Sequence, residues 1–291
     1  MKRYEVHYKM TAPVSHIGET ASTGSYFQMI RTSAGRLPII TGNSVRGTLR
    51  DCGARALLDT LGVQVDKDVF NVLFSGGNLS GAMKMDVGKA KAVREHFPFV
   101  SLFGGGLGDM ILAGKMYVGN LYPVCRESAE ITGAYSELSW KNLIDEIEFT
   151  RTDDSKNDSL SAKYAVNPDD ESKAKASTQM RYAVQYMAAG TEFVQFIYLN
   201  DNVTAQEEAA LLSAIDCWFQ IPKLGGMANK GFGFFHARVL DDDSEPVISV
   251  DEHGVMVRDD AESAVKQYLE FVKSEGAEHL DLLGGGKSGK K

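Results

Sequence analysis

The residues best placed to do chemistry in this 291-residue chain are two arginines in LPIITGNSVRGTLRD, the stretch from Leu37 to Asp51. Val45, Leu49, Cys52, Ala56 and Leu57 recur at helical spacing, which predicts a helix with Ser44 as its N-cap, running to about Leu61. Arg46 and Arg50 then occupy its first two turns. A helix N-terminus already carries partial positive charge, so cations there are disfavoured unless an anion is present. Arginines four apart also share a face and repel. At a helix start preceded by the turn Thr41-Gly42-Asn43, both penalties point to a bound anion, phosphate first.

A second anion-binding candidate is the loop from Leu224 to Gly233, LGGMANKGFG, with Gly225, Gly226, Gly231, Gly233 and Lys230. Glycines let backbone N–H groups approach a phosphate chain, and the lysine adds a point charge. Taken alone, the same residues read as a flexible helix-to-strand turn. The arginines elsewhere tip the reading towards binding. Tyr26, Phe27 and Phe232 could stack on nucleic-acid bases, worth about 1–3 kcal/mol each, although Phe232 fits core packing equally well.

Other chemistry is thinly represented. His16 has no Ser or Cys partner in a nucleophile motif, and a loop histidine more often contacts backbone or ligand. His96, His236 and His253 show no ligand spacing, and Asp153-Asp154 and Asp169-Asp170 fall in a polar segment where solvation is the default. Cys52, Cys125 and Cys217 are far apart, outside any C-x-x-C spacing, and read as small buried residues. GGGKSG near the C-terminus lacks the first glycine of a phosphate-binding P-loop, since position 281 is Asp281, and Gly104 to Gly108 lacks the full G-x-G-x-x-G. No metal site and no cofactor are expected.

The elements that must position these residues are legible in outline. YEVHYKMTAPV forms a strand beginning near Lys2 and ending before Pro13; residues 14–36 read as a Ser/Thr/Gly-rich loop; 62–108 read as short helices broken by glycines. Met110 to Val124 reads as one long strand or a bent pair. Residues 150–180 are polar and almost free of large apolar side chains, suiting a projecting loop or hairpin. RYAVQYMAAGTEFVQFIYLN predicts two strands turning near Ala189-Gly190. The capping box Thr204 to Glu207 opens a helix closed by Pro222, and Gly231–Leu240 supplies a final strand. Acidic residues 241–260 lead to a last helix near 261–274 and a tail expected to be disordered over 284–291. Strands and helices in this order suit an α+β domain with helices on one face of a mostly antiparallel sheet.

Composition bounds the partners. The net charge of −8 argues against nucleic acid in bulk. Its distribution reverses that: residues 1–60 hold eight Lys or Arg against four acids, whereas 241–260 hold eight acids against Arg258 alone. No apolar window long enough to span a membrane is present, and MKRYEVHYKM carries charges where a signal peptide needs an apolar stretch, so a cytoplasmic location is expected.

RLPIITGNSVRGTLRD together with LGGMANKGFGFF resembles the RAMP superfamily of CRISPR-Cas proteins. That pattern is a strand, a variable loop, a Pro-x-Ile-x-Gly-Ser-type turn opening a basic helix, and a late glycine-rich loop. Pro38, Ile40, Gly42, Asn43, Ser44, Gly47 and Arg50 fit the first part; Gly225, Gly226, Lys230, Gly231, Phe232 and Gly233 fit the second. HIGETASTGSYF and ITGNSVRGTLRD look most like the type IV version. The motifs cover under half of the chain, and 62–108 and 241–291 carry none.

The resemblance implies a ferredoxin-like (RRM-like) palm from about 1–60, 110–149 and 181–240, a helical insertion over 62–108, a thumb-like hairpin at 150–180 and a C-terminal extension over 241–283. It implies a backbone subunit that polymerises head to tail along CRISPR guide RNA, alongside other effector subunits, and presents the guide to complementary target DNA or RNA. The residues expected to hold RNA are His16, Arg31, Arg36, Asn43, Ser44, Arg46, Arg50, Gly225, Gly226, Asn229, Lys230 and Gly231. Type III relatives cut target RNA with an aspartate between the first strand and the basic helix. Here residues 12–50 contain no Asp, and Glu19 is their only carboxylate. A noncatalytic subunit is therefore expected, with a target-RNA-cleaving ribonuclease on the same fold as the alternative and a pocketed small-molecule enzyme as a third.

Overall fold

A computed structural model describes residues 1–16, 19–21, 24–79, 86–108, 110–151 and 180–284. Strand β1 (Lys2–Met10) buries Tyr4, Val6, Tyr8 and Met10 and leaves the residues between them more open, the alternation of a strand with one covered face. It lies at the centre of the main sheet, antiparallel to β12 (Glu192–Leu199) on one side and β13 (Phe235–Leu240) on the other. Beyond β12 come β8 (Met116–Val118) and β9 (Tyr122–Pro123), and beyond β13 come β14 (Pro246–Asp251) and β15 (Gly254–Val257).

Helix α1 (Gly42–Leu61) connects β1 towards β8, and α6 (Ala205–Phe219) connects β12 to β13. The resulting order β13-β1-β12-β8 with two crossover helices is the split βαβ arrangement of a ferredoxin-like fold, as expected. Trp218 and Phe219 of α6 meet Phe235 edge-on at 5.3 and 5.9 Å, and Tyr8 meets the same ring edge-on at 5.2 Å. Such pairs add about 0.5–1.5 kcal/mol each beyond their buried area.

The expected capping box is present: Glu207 N–H donates to Thr204 Oγ1 at 3.2 Å and Thr204 N–H to Glu207 Oε2 at 2.8 Å. Glu207 is fully buried and also receives Lys115 Nζ at 2.7 Å. Burial pushes its carboxyl up, but bonds from Lys115, Ser101 and Thr204 outweigh this and leave it below the usual carboxylate range.

The second layer differs from the sequence expectation in instructive places. Residues 14–36 are not simply a loop. They include β2 (Glu19–Ala21), β3 (Gly24–Tyr26) and β4 (Gln28–Thr32), the last paired with β5 (Gly35–Ile39). Strand β3 runs parallel to β11 (Met180–Met187), which is antiparallel to β10 (Ile144–Arg151), giving a second sheet β10-β11-β3-β2. The expected thumb-like segment lies, from 152 to 179, outside the described residues; its flanking strands are paired from Ile144↔Met187 to Arg151↔Met180. The tail beyond Gly284 also lies outside them.

Met110 to Val124 is three short pieces rather than a strand or bent pair. Strand β7 (Met110–Leu112) pairs with β6 (Gly105–Leu107), while β8 and β9 join the main sheet. Strands β11 and β12 do turn at Ala189-Gly190, but each enters a different sheet.

Helix α1 starts three residues earlier than predicted, with Thr41 rather than Ser44 at the N-cap position. The first N–H groups find other acceptors: Gly42 N–H donates to Asn120 Oδ1 at 3.0 Å and Ser44 N–H to Thr41 O at 3.1 Å. Gly42 is required by close approach, since a Cβ there would stand 2.2 Å from Val118 O.

Residues 62–108, expected as a helical insertion, contain α2 (Lys67–Ser75), α3 (Val87–His96) and α4 (Pro98–Phe103), and α5 (Ala129–Thr132) follows β9. The acidic stretch after β13 forms the hairpin β14–β15, extending the main sheet, before α7 (Asp259–Phe271). Among the described residues no helix is long and apolar enough to cross a membrane.

Candidate functional site

Four consecutive residues, Pro13 to His16, tie together the elements that the sequence motifs singled out. Pro13 O accepts from Gly233 N–H at 2.7 Å, and Val14 exchanges backbone bonds with Met187 of β11 at 2.9 and 2.8 Å. Ser15 O accepts from Gly226 N–H at 2.8 Å. His16 Nε2 accepts the Thr41 N–H at 3.3 Å and lies 3.2 Å from Thr41 Oγ1. This strap brings the start of α1, the glycine loop and the inner strand of the β10–β11 hairpin to one place.

The glycines serve that docking. Gly225 has φ +75° and a Cβ there would be 2.1 Å from Ser15 O, so only glycine lets the loop close on the strap. The outer part of the loop is a 3₁₀ turn, Ala228–Lys230, and Asn229, Lys230 and Gly231 are exposed. Lys230 Nζ stands 3.7 Å over the Phe149 ring of β10, a cation–π contact that fixes the charge beside the hairpin while leaving it open to solvent. Phe232 meets Tyr186 edge-on at 6.0 Å and is buried, as is Phe27; these two pack in the interior rather than offering faces to bases. Tyr26 stays half-exposed.

The two arginines of α1 do something other than the sequence suggested. Arg50 is 7% exposed, and its guanidinium donates to Val72 O at 3.1 Å, Phe103 O at 3.1 Å and Gly104 O at 2.8 Å. Arg46 Nη2 also donates to Phe103 O. Both charges are therefore delivered to the C-terminal carbonyls of α4, where a helix favours cations. Burial, followed by the Arg46 charge beside it, pushes the Arg50 pKa down to about 10, still protonated at neutral pH.

The expectation that Arg50 holds phosphate is corrected: its donors are spent on carbonyls inside the protein. Arg46 is half-buried and its Nε has no partner among the described residues. Asn43 and Gly47 are exposed on the same first turns, and Ser44 is half-exposed.

His16 is likewise a positioning group. It is 8% exposed, and burial lowers its pKa, so the neutral ring accepts through Nε2 and carries its proton on Nδ1. A charged contact with RNA is not what this geometry offers.

Arg31 and Arg36 are exposed and directly opposite each other in the β4–β5 register. Like charges facing across a strand pair destabilise it, and neither arginine pairs with a described carboxylate. An anion between them would relieve the repulsion.

Sequence reasoning missed the strap. Its only signal was His16, a histidine without a catalytic partner three residues after Pro13. A groove of about 400 Å³ on the sheet face opposite the helices, lined by His7, Lys9, Glu192, His236, Arg238 and Asp251, lies apart from these elements.

One solved structure, titled "Type IV-B CRISPR Complex", aligns with a TM-score of 0.58 at 19% identity, covering 81% of this chain and 90% of the other, which supports the shared fold. Another, titled "Crystal structure of Thermofilum pendens Csc2", aligns with a TM-score of 0.41 at 13% identity over 93% of this chain and 77% of the other. Comparison with curated proteins gives no match. The model of the RAMP superfamily matches residues 8–236, from within β1 to the second residue of β13, and so takes in the strap, α1 and the glycine loop: the chain belongs to the RAMP superfamily.

Proposed function

We propose that this protein is a noncatalytic backbone subunit of a CRISPR effector complex that assembles head to tail along guide RNA and presents it for pairing with a complementary target. The observation that carries this reading is the strap: it assembles the start of α1 and the glycine loop, distant in sequence, beside the hairpin β10–β11. Phosphate contacts are assigned to the exposed pair Arg31 and Arg36, to Asn43, Ser44 and Arg46 at the helix start, and to Gly226, Asn229, Lys230 and Gly231 of the loop. Modest contacts suffice when each copy repeats them along one RNA, and local basic patches suffice within an acidic chain.

The noncatalytic assignment rests on residues 12–50, where Glu19, in β2, is the only carboxylate. One carboxylate gives no pair to hold a metal-activated water.

The test is to purify the protein from cells expressing a CRISPR array, compare absorbance at 260 and 280 nm, and size the particle and its RNA. A large particle with protected short RNA is expected. An RNA-free monomer that ignores added guide would contradict the reading, and cleavage of complementary RNA that stops with chelator would overturn the noncatalytic assignment.

A further inference from the structure

We propose that His96, Glu275 and His279 form a binding site for a divalent transition metal of the zinc type, which pins the C-terminal segment to the helical insertion. His96 is the last residue of α3. After α7 the chain makes a π-helical turn, Val272–Gly276, which contains Glu275, and His279 follows four residues later. Glu275 and His279 are four residues apart and share the face turned towards His96 of α3. His96 Nδ1 lies 3.4 Å from Glu275 Oε2, and His279 Nε2 lies 3.8 Å from the same oxygen. The imidazole rings are 3.7 Å apart between centroids, and the three ligand atoms all fall within 4.8 Å of one another.

The donor set selects the ion. Two imidazole nitrogens and one carboxylate oxygen suit zinc and its neighbours, whereas magnesium and calcium take oxygen donors. In a tetrahedral zinc site with bonds near 2.0–2.2 Å, donors stand roughly 3.3–3.6 Å apart and the two ring centroids about 5 Å apart, so binding would draw the donor atoms together and splay the imidazoles from their 3.7 Å stack by side-chain rotation. Two neutral imidazoles and one carboxylate carry one negative charge, which a divalent cation complements, and the fourth position is left to water. All three residues are half-buried, shielded enough to strengthen the bonds and open enough for entry.

The site sits at a seam with independent anchors. Leu283 is buried and Lys89 Nζ of α3 donates to Gly284 O at 3.5 Å, so the segment after α7 already returns to the insertion. A metal would close that return. Its role is structural, and the site lies outside the RAMP-matched residues 8–236 except for His96.

The experiment uses full-length protein freed of any histidine tag, stripped with chelator and dialysed against Zn²⁺, with metal content measured by mass spectrometry and the unfolding midpoint recorded with and without Zn²⁺. One bound zinc per chain and a raised midpoint are expected, because a ion that binds only the folded state stabilises it. His279→Ala and His96→Gln should abolish both effects, and Glu275→Gln, which keeps the side-chain shape, should weaken binding roughly tenfold or more. His253→Ala should change nothing. Absence of zinc uptake by the wild type, uptake unaltered in His279→Ala and Glu275→Gln, or equal competition by Mg²⁺ would each overturn the proposal.

Discussion

Two arginine pairs, Arg46/Arg50 and Arg31/Arg36, raise the same puzzle in the sequence and resolve it in opposite ways. In α1 the neighbouring charges converge on the last carbonyls of α4, which with Val72 O occupy Arg50 and take one nitrogen of Arg46, leaving Arg46 Nε without a partner among the described residues. In the β4–β5 hairpin the charges face each other across the ladder in solvent, with no described carboxylate to neutralise them. A frustrated charge signals a ligand only when the fold supplies no acceptor. The contrast moves the proposed phosphate contacts outward, from the buried helix flank to the hairpin, the first turn of α1 and the glycine loop.

The largest expected effect comes from breaking the buried side. Arg50→Met leaves Val72 O and Gly104 O without their Arg50 donor and Phe103 O to Arg46 alone, and should cost about 3 kcal/mol of stability, read as a lowered urea midpoint. RNA affinity of the molecules that remain folded should hold. Gly225→Ala should cost about 2 kcal/mol, because it forces a side chain into the left-handed region against Ser15 O. Unlike the Arg50 change, it should also weaken RNA binding, since it moves the loop off the strap.

Arg31→Ala with Arg36→Ala should leave stability within about 0.5 kcal/mol, or raise it slightly as cross-strand repulsion is removed. The smallest effect concerns His16. Its folded pKa is lowered by burial, so the unfolded chain binds the proton more tightly. The stability it contributes is present above the unfolded value of about 6.5 and is lost as pH falls from there through the folded value. His16→Gln should flatten that part of the stability-versus-pH curve in chemical denaturation.

Much of this architecture was legible in residue patterns, and the failures share a cause. The capping box Thr204 to Glu207, the alternation in β1 and the end of α1 at Leu61 are local signals, and each appears as read. The glycine loop and the helix start were legible as candidates because their residue types are unusual for their positions. What could not be read is long-range.

Nothing near Arg50 announces the carbonyls of Phe103 and Gly104, and nothing near Ser15 announces Gly226. The hairpin β14–β15 was obscured by its acids, although Val247, Ile248 and Val250 carry its buried face. His96 showed no ligand spacing because its neighbours in space, Glu275 and His279, lie about 180 residues further along the chain.

The division between buried and exposed arginines is tested most directly by titrating guide RNA against the wild type and the Arg31→Ala, Arg36→Ala double variant across a series of salt concentrations. Each lost phosphate contact lowers the slope of log affinity against log salt by about one, so the double variant should bind more weakly with a slope smaller by about two per subunit. A double variant with wild-type affinity and slope would contradict the assignment and return the phosphate to the helix start and the glycine loop alone.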